Sequence, residues 1–186
     1  MWYNTIRTYV LNGDVNLTIY GFVLKFMLKG YNQREAKMAN VFDVARYILH
    51  QKGPMTTMKL QKLVYYCQAW SLVWDEKPLF TEEIQAWASG PVVRELYDIH
   101  KGSFVISDIP QGDMSNLKPE EKETIDAVLE AYGDKSAQWL SDLTHMEQPW
   151  NDTRKGYAPG DNCENEITKT SLFEYYSSLP PGSELN

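Results

Sequence analysis

Apolar side chains recur along this chain at helical spacing. Val41, Val44, Ala45, Ile48 and Leu49 fall on one face of a helix, with Asn40 placed to cap it, Asp43 at the capping-box position and Gly53-Pro54 to end it. Thr56 or Thr57 caps a second helix running to about Trp74. Its Leu60, Leu63, Val64, Cys67, Trp70 and Trp74 form a broad stripe with Tyr65 and Tyr66 beside it, while Lys59, Lys62 and Gln68 lie elsewhere. A helix apolar over most of its circumference belongs at a domain centre, and Cys67 there reads as a small buried hydrophobe.

Glu83 to Ala88 reads as a short strand that stops at Ser89-Gly90. Proline suits the first position of a helix, so Pro91 is expected to start one, with Val92, Val93, Leu96 and Tyr97 inward and Gly102 as its stop. Ser103 to Ile106 is a candidate second strand. Pro119 opens a further helix with Glu120, Glu121 and Glu123 near its positive end and Ile125, Val128, Leu129 and Tyr132 as its face; Gly133 closes it. Ser136 or Asp134 starts another, with Leu140 and Leu143 inward. Residues 151–166 read as loop, and Thr168 caps a last helix bearing Leu172, Tyr175, Tyr176 and Leu179. The expectation is a mainly α, single compact domain of about six helices with one or two short β-strands. It spans 38–179, behind an N-terminal extension of residues 1–37 (a misassigned start or an accessory helix) and before a frayed tail at 180–186.

Composition narrows the function classes. Hydrophobic residues make up 43% and aromatics 13% of the 186, enough for a sizeable core. The net charge is −7; residues 1–37 carry five basic and two acidic side chains, so the remainder carries −10. Nucleic acid is therefore not an expected partner, despite Lys59 and Lys62 lying one turn apart beside Tyr66, whereas a basic protein surface would be attracted. The two cysteines, Cys67 and Cys163, lack metal or redox spacing and suit a reducing cytoplasm. No apolar run approaches the ~20 residues of a membrane span, so no membrane partner is expected.

The densest reactive cluster is His145-x-Glu147 followed by Asp152 and Arg154, which could be drawn as a general base or metal site. A catalytic zinc needs three spaced protein ligands, and His50 and His100 lie on other helices. A histidine in the last turn of a helix with Trp150 packed beneath is the simpler reading. No phosphate loop, nucleophile elbow, zinc-protease or kinase signature is present, and no cofactor is expected. Arg94 and Glu95 read as solvated charges. Six tryptophans, five of them in the acidic body, suit a binding protein, because large aromatics dominate interface hot spots.

Three segments carry a family resemblance: Leu60-Gln61-Lys62-Leu63-Val64-Tyr65-Tyr66-Cys67-Gln68-Ala69-Trp70, Trp87-Ala88-Ser89-Gly90-Pro91-Val92-Val93-Arg94-Glu95-Leu96-Tyr97, and Leu140-Ser141-Asp142-Leu143-Thr144-His145-Met146-Glu147-Gln148-Pro149-Trp150. In this order and spacing the chain resembles the Panacea domain of SocA-like antitoxins and GepA-type phage-associated proteins. The resemblance implies a bacterial, cytoplasmic, non-enzymatic antitoxin, encoded on a prophage or other mobile element, that neutralises a cognate protein toxin by direct binding. An alternative is a proteolytic adaptor delivering the toxin to the ClpXP protease; a further one is a hydrolase or metalloenzyme using His145 and Glu147. Within the motifs, Leu60, Lys62, Leu63, Tyr66 and Trp70 mark the central helix. Trp87, Gly90, Pro91, Val92, Leu96 and Tyr97 mark a strand-to-helix corner, and His145, Glu147, Pro149 and Trp150 a helix-ending turn bordering the partner surface.

Overall fold

In the computed structural model the described residues are 38–180; the readings for residues 1–37 and for the tail beyond 180 lie outside them. Asn40 opens α1 (Val41–Lys52) with a complete capping box. Its side-chain oxygen accepts the N–H groups of Phe42 and Asp43, and the Asp43 carboxylate accepts the N–H of Asn40. Gly53 ends the helix at φ 76°. Thr56 caps α2 (Thr57–Trp74) by accepting the Lys59 N–H.

Seven α-helices are present among the described residues. After α2 come α3 (Arg94–His100), α4 (Pro119–Tyr132), α5 (Ala137–Met146), α6 (Gln148–Thr153) and α7 (Lys169–Ser177), with a 3-10 turn at Met114–Asn116. Ser136 caps α5 and Thr168 caps α7, each by accepting an N–H three residues on. The mainly α expectation holds. The short helix α6 replaces the expected helix-ending turn, because Pro149 in its first turn forfeits no hydrogen bond there.

α2 is the hub: α1, α4, α5 and α7 all pack against it. Every side chain from Leu60 to Leu72 is buried, including Gln61, Lys62, Gln68 and Ser71. Lys62 and Gln68 were expected off the buried stripe. A helix enclosed all round has no solvent face, so its polar groups serve backbone that lacks regular partners. Gln68 accepts the N–H groups of Leu79 and Phe80 and donates to the Phe80 carbonyl, and Ser71 donates to the Lys77 carbonyl.

The strands form two separate antiparallel pairs. β1 (Met55–Thr56) pairs with β4 (Val105–Ile106), and β2 (Ile84–Trp87) with β3 (Gly90–Val93). Pro91 therefore lies in a strand and not at the first position of a helix, and α3 begins three residues later at Arg94. The reason lies in the register. Pro91 stands opposite Ala86, whose N–H donates to the Asn165 carbonyl and whose carbonyl accepts from Arg154. Both backbone groups of Ala86 face away from β3, so a proline opposite it costs no ladder bond. The two-residue turn Ala88-Ser89 leads into Gly90 at φ 101°, a conformation that favours glycine.

Candidate functional site

The β2–β3 hairpin is too short to stand alone, and side chains from the first and third sequence motifs, together with Arg154, hold its backbone. From α2, the Gln61 amide accepts the Val93 N–H at 2.9 Å and donates to the Val93 carbonyl at 3.3 Å. Lys62 Nζ donates to the Pro91 carbonyl at 2.9 Å. From α5, Ser141 donates to the Ser89 carbonyl at 3.1 Å; from α6, Trp150 Nε1 donates to the Trp87 carbonyl at 2.9 Å. Arg154, just past α6, donates to the Ala86 carbonyl at 2.7 Å and to the Asp161 carbonyl at 2.9 Å.

Lys62 is the least expected member. Its side chain is buried, and Pro91 O is its hydrogen-bond acceptor. Burial without a facing carboxylate disfavours the charged amine and lowers its pKa to about 7. The ammonium is packed against Gly90, where a Cβ would come within 2.7 Å of Lys62 Cε and 2.9 Å of both Nζ and Thr144 Oγ1. Gly90 is thus required twice, for its φ and for the space its missing side chain leaves.

A second polar cluster lies one turn further along α2, at Tyr65 and Tyr66. Glu147, buried at the start of α6, accepts from the Tyr176 hydroxyl at 2.8 Å and from Tyr66 at 3.4 Å, with the Tyr65 hydroxyl 3.3 Å from that of Tyr176. Desolvation outweighs these hydrogen bonds and raises the carboxyl pKa to about 8. Tyr66 also stacks on Tyr132 with ring centroids 4.5 Å apart, which locks its hydroxyl toward Glu147. This network joins α2, α4, α6 and α7 and contributes internal rigidity.

The remaining motif residues divide clearly. Leu60, Leu63 and Trp70 are core, as are Leu96 on α3 and Pro149 on α6. Val92 is buried in β3. Trp87 and Tyr97 are half-buried and meet edge to face at 4.7 Å. His145 stacks on Trp150 at 4.2 Å, as the helix-end reading expected. Burial lowers its pKa first, and the nearby Lys62 adds to this. His145 and Glu147 do not converge, since the imidazole lies on Trp150 while both carboxylate oxygens are engaged by tyrosines. Among the described residues no group of three His, Cys, Asp or Glu side chains is placed to hold a metal ion. Cys67 and Cys163 are free and buried, and burial pushes the Cys67 thiol pKa up, away from nucleophilic use.

Beside the hairpin runs a groove of about 330 Å³. Its walls come from the first turns of α2 (Thr57, Met58, Gln61, Lys62), the hairpin (Trp87, Val92), α3 (Tyr97, His100), the segment at 101–103, and Gly160 and Asn162. Two of the sequence motifs thus meet at one concave surface. Nothing in the separate segments announced this, because the groove depends on contacts between residues far apart in the chain.

The role of Arg154 was also missed by sequence reasoning, which set it only in a reactive cluster. Its side chain is a planar donor array buried among carbonyls, stacked 5.2 Å from the Trp150 ring centre. Arg154→Ala should destabilise the fold by about 3 kcal/mol, since hydrogen bonds to a charged group are worth roughly 1.5–3 kcal/mol and the carbonyls stay buried. Arg154→Lys should recover less than half, because one ammonium cannot reproduce the fork. Urea midpoints at unchanged slope read both values.

Residues 60–151 match the family model described as Antitoxin SocA-like, Panacea domain. The curated protein Antitoxin SocA of Caulobacter vibrioides (strain NA1000 / CB15N) is 29% identical over 150 residues, covering 69% of this chain and 79% of that protein. No solved structure matches the chain. The matched stretch begins in α2, contains the whole hairpin and ends at Asn151 of α6, so it spans the side chains from Gln61 to Trp150 that bind the hairpin backbone. By its sequence match and by the three motifs meeting on that hairpin, the chain is similar over residues 60–151 to the Panacea domain of SocA-like antitoxins.

Proposed function

We propose that this protein is an antitoxin that binds a cognate protein toxin directly and so neutralises it. The observation that carries the reading is the Panacea-domain match over residues 60–151, supported by the likeness to Antitoxin SocA. The surface suits a binder. Met58, Ile99, Phe104 and Val105 are exposed large hydrophobics, and Met58 lines the groove. Among the described residues no helix is long and apolar enough to cross a membrane. The reading sets the protein in the cytoplasm, with residues 38–179 as its binding domain and residues 1–37 as an appended extension.

Co-expression with the product of the adjacent gene tests the proposal. That product alone should arrest growth, and this chain should restore it while leaving toxin half-life unchanged. A shortened half-life that disappears when ClpX is deleted would replace sequestration by proteolytic delivery. Failure to restore growth would contradict both.

A further inference from the structure

The groove beside the hairpin is chemically unlike the rest of the body. Outside residues 1–37 the chain carries a net −10, yet among the described residues the groove wall contains Lys62, Lys101 and His100 and no aspartate or glutamate. Lys62 can donate three hydrogen bonds when protonated, and Pro91 O takes one; no carboxylate among the described residues pairs with it. A lysine 1% exposed, on a wall free of acids, lacks the anion that buried ammonium groups ordinarily have. Its position is held firmly, since Gly90 and the Pro91 carbonyl fix the end of the side chain from one side. Next to it the wall turns apolar and aromatic, with Val92, Trp87, Tyr97 and Met58.

We infer that the groove is a carboxylate-recognition site, in which Lys62 receives a carboxylate of a bound polypeptide while Trp87, Tyr97 and Met58 hold the apolar side chain beside it. The inference rests on the antitoxin reading in one respect, that the polypeptide belongs to the toxin. The carboxylate can come from an Asp or Glu side chain or from a chain terminus, and both place two acceptor oxygens within reach of one ammonium. Lys101 at the rim is paired with Asp98 at 3.4 Å and His100 is engaged by the Gln61 amide at 2.9 Å, which leaves Lys62 as the group that meets the carboxylate.

The test uses the full chain as bait and random decapeptides displayed on phage, one library with free C-termini and one with the peptide embedded internally. Selected peptides should carry Asp, Glu or a free C-terminal carboxylate next to an apolar residue. The library in which they arise tells side chain from terminus. Each selected peptide is then compared by fluorescence polarisation with its isosteric amide, Gln or Asn for the side chain or a C-terminal carboxamide. The wild-type protein should bind the amide at least tenfold more weakly, a comparison that does not depend on any variant folding. Lys62→Met, retaining most of the stem, should lose the same discrimination. Selection of peptides without a carboxylate, equal binding of acid and amide, or no binders from either library would each overturn the inference. Growth protection by the wild-type chain is read separately, so a failed groove and a failed antitoxin assignment are told apart.

Discussion

Gly90→Ala is expected to lower stability by about 3–5 kcal/mol, the largest loss of any single methyl addition to the hairpin. Two costs combine. Alanine at φ 101° is strained, at roughly 1–3 kcal/mol for a residue held in a sparsely populated region. The added Cβ would also meet Lys62 Cε at 2.7 Å, and Nζ and Thr144 Oγ1 at 2.9 Å, so the buried ammonium must leave its carbonyl or the hairpin must tilt. Overpacking of this kind costs about 1–3 kcal/mol. Gly53→Ala supplies the control, because Gly53 also has positive φ, 76°, but its added Cβ would meet nothing within 4 Å. It should cost only the conformational part, about 1–3 kcal/mol. Chemical denaturation of both variants decides the matter: equal losses would mean that the close approach of Lys62 to Gly90 contributes nothing.

Stability should pass through a minimum between about pH 7 and pH 8, flanked by higher values near pH 5 and pH 10. Glu147 has its folded pKa raised from 4.5 to about 8. Between those values the folded state binds a proton that the unfolded chain has released, so stability falls as pH rises through that window and then levels off. Lys62 has its folded pKa lowered from 10.5 to about 7. From about pH 7 to 10.5 the unfolded chain holds a proton that the folded state lacks, so stability rises there. At 1.36 kcal/mol per pKa unit each limb is on the order of 4 kcal/mol at most. His100 and His145, both lowered chiefly by burial, act as Lys62 does but only as pH climbs toward 6.5, which makes the acidic limb shallower without removing it. Tyr65, Tyr66 and Tyr176 are raised above 10.0 and reduce stability only beyond the basic limb. Glu147→Gln should abolish the acidic limb and raise stability at pH 8, and Lys62→Met should flatten the basic one. Thermal melts from pH 5 to pH 10 that vary monotonically in the wild type would contradict this assignment.

Local signals were legible where the deciding partners lie within a few residues. Asn40, Thr56, Ser136 and Thr168 cap the helices they were expected to cap, because a cap bonds an N–H two or three positions on. Pro91 was misplaced for the opposite reason. Proline at the first helical position and proline at a non-bonded strand position look alike locally, and the choice here is made by Asn165 and Arg154, more than sixty residues away. Lys62 and Gln68 were placed off the buried stripe because a stripe of apolar positions cannot reveal that helices also cover the opposite face of α2. The candidate site was visible only as three separate motifs. Their convergence on one hairpin, and the acid-free groove beside it, arise from tertiary contacts that periodicity does not encode.

The central proposal is that this Panacea-like domain captures a toxin by direct contact, and calorimetric titration of the purified chain with the purified product of the adjacent gene tests it most directly. The account expects a saturable complex with a dissociation constant of about 1 µM or tighter, the two proteins co-eluting on gel filtration. Two components that give no heat and elute separately, from a toxin preparation still active against cells, would contradict it.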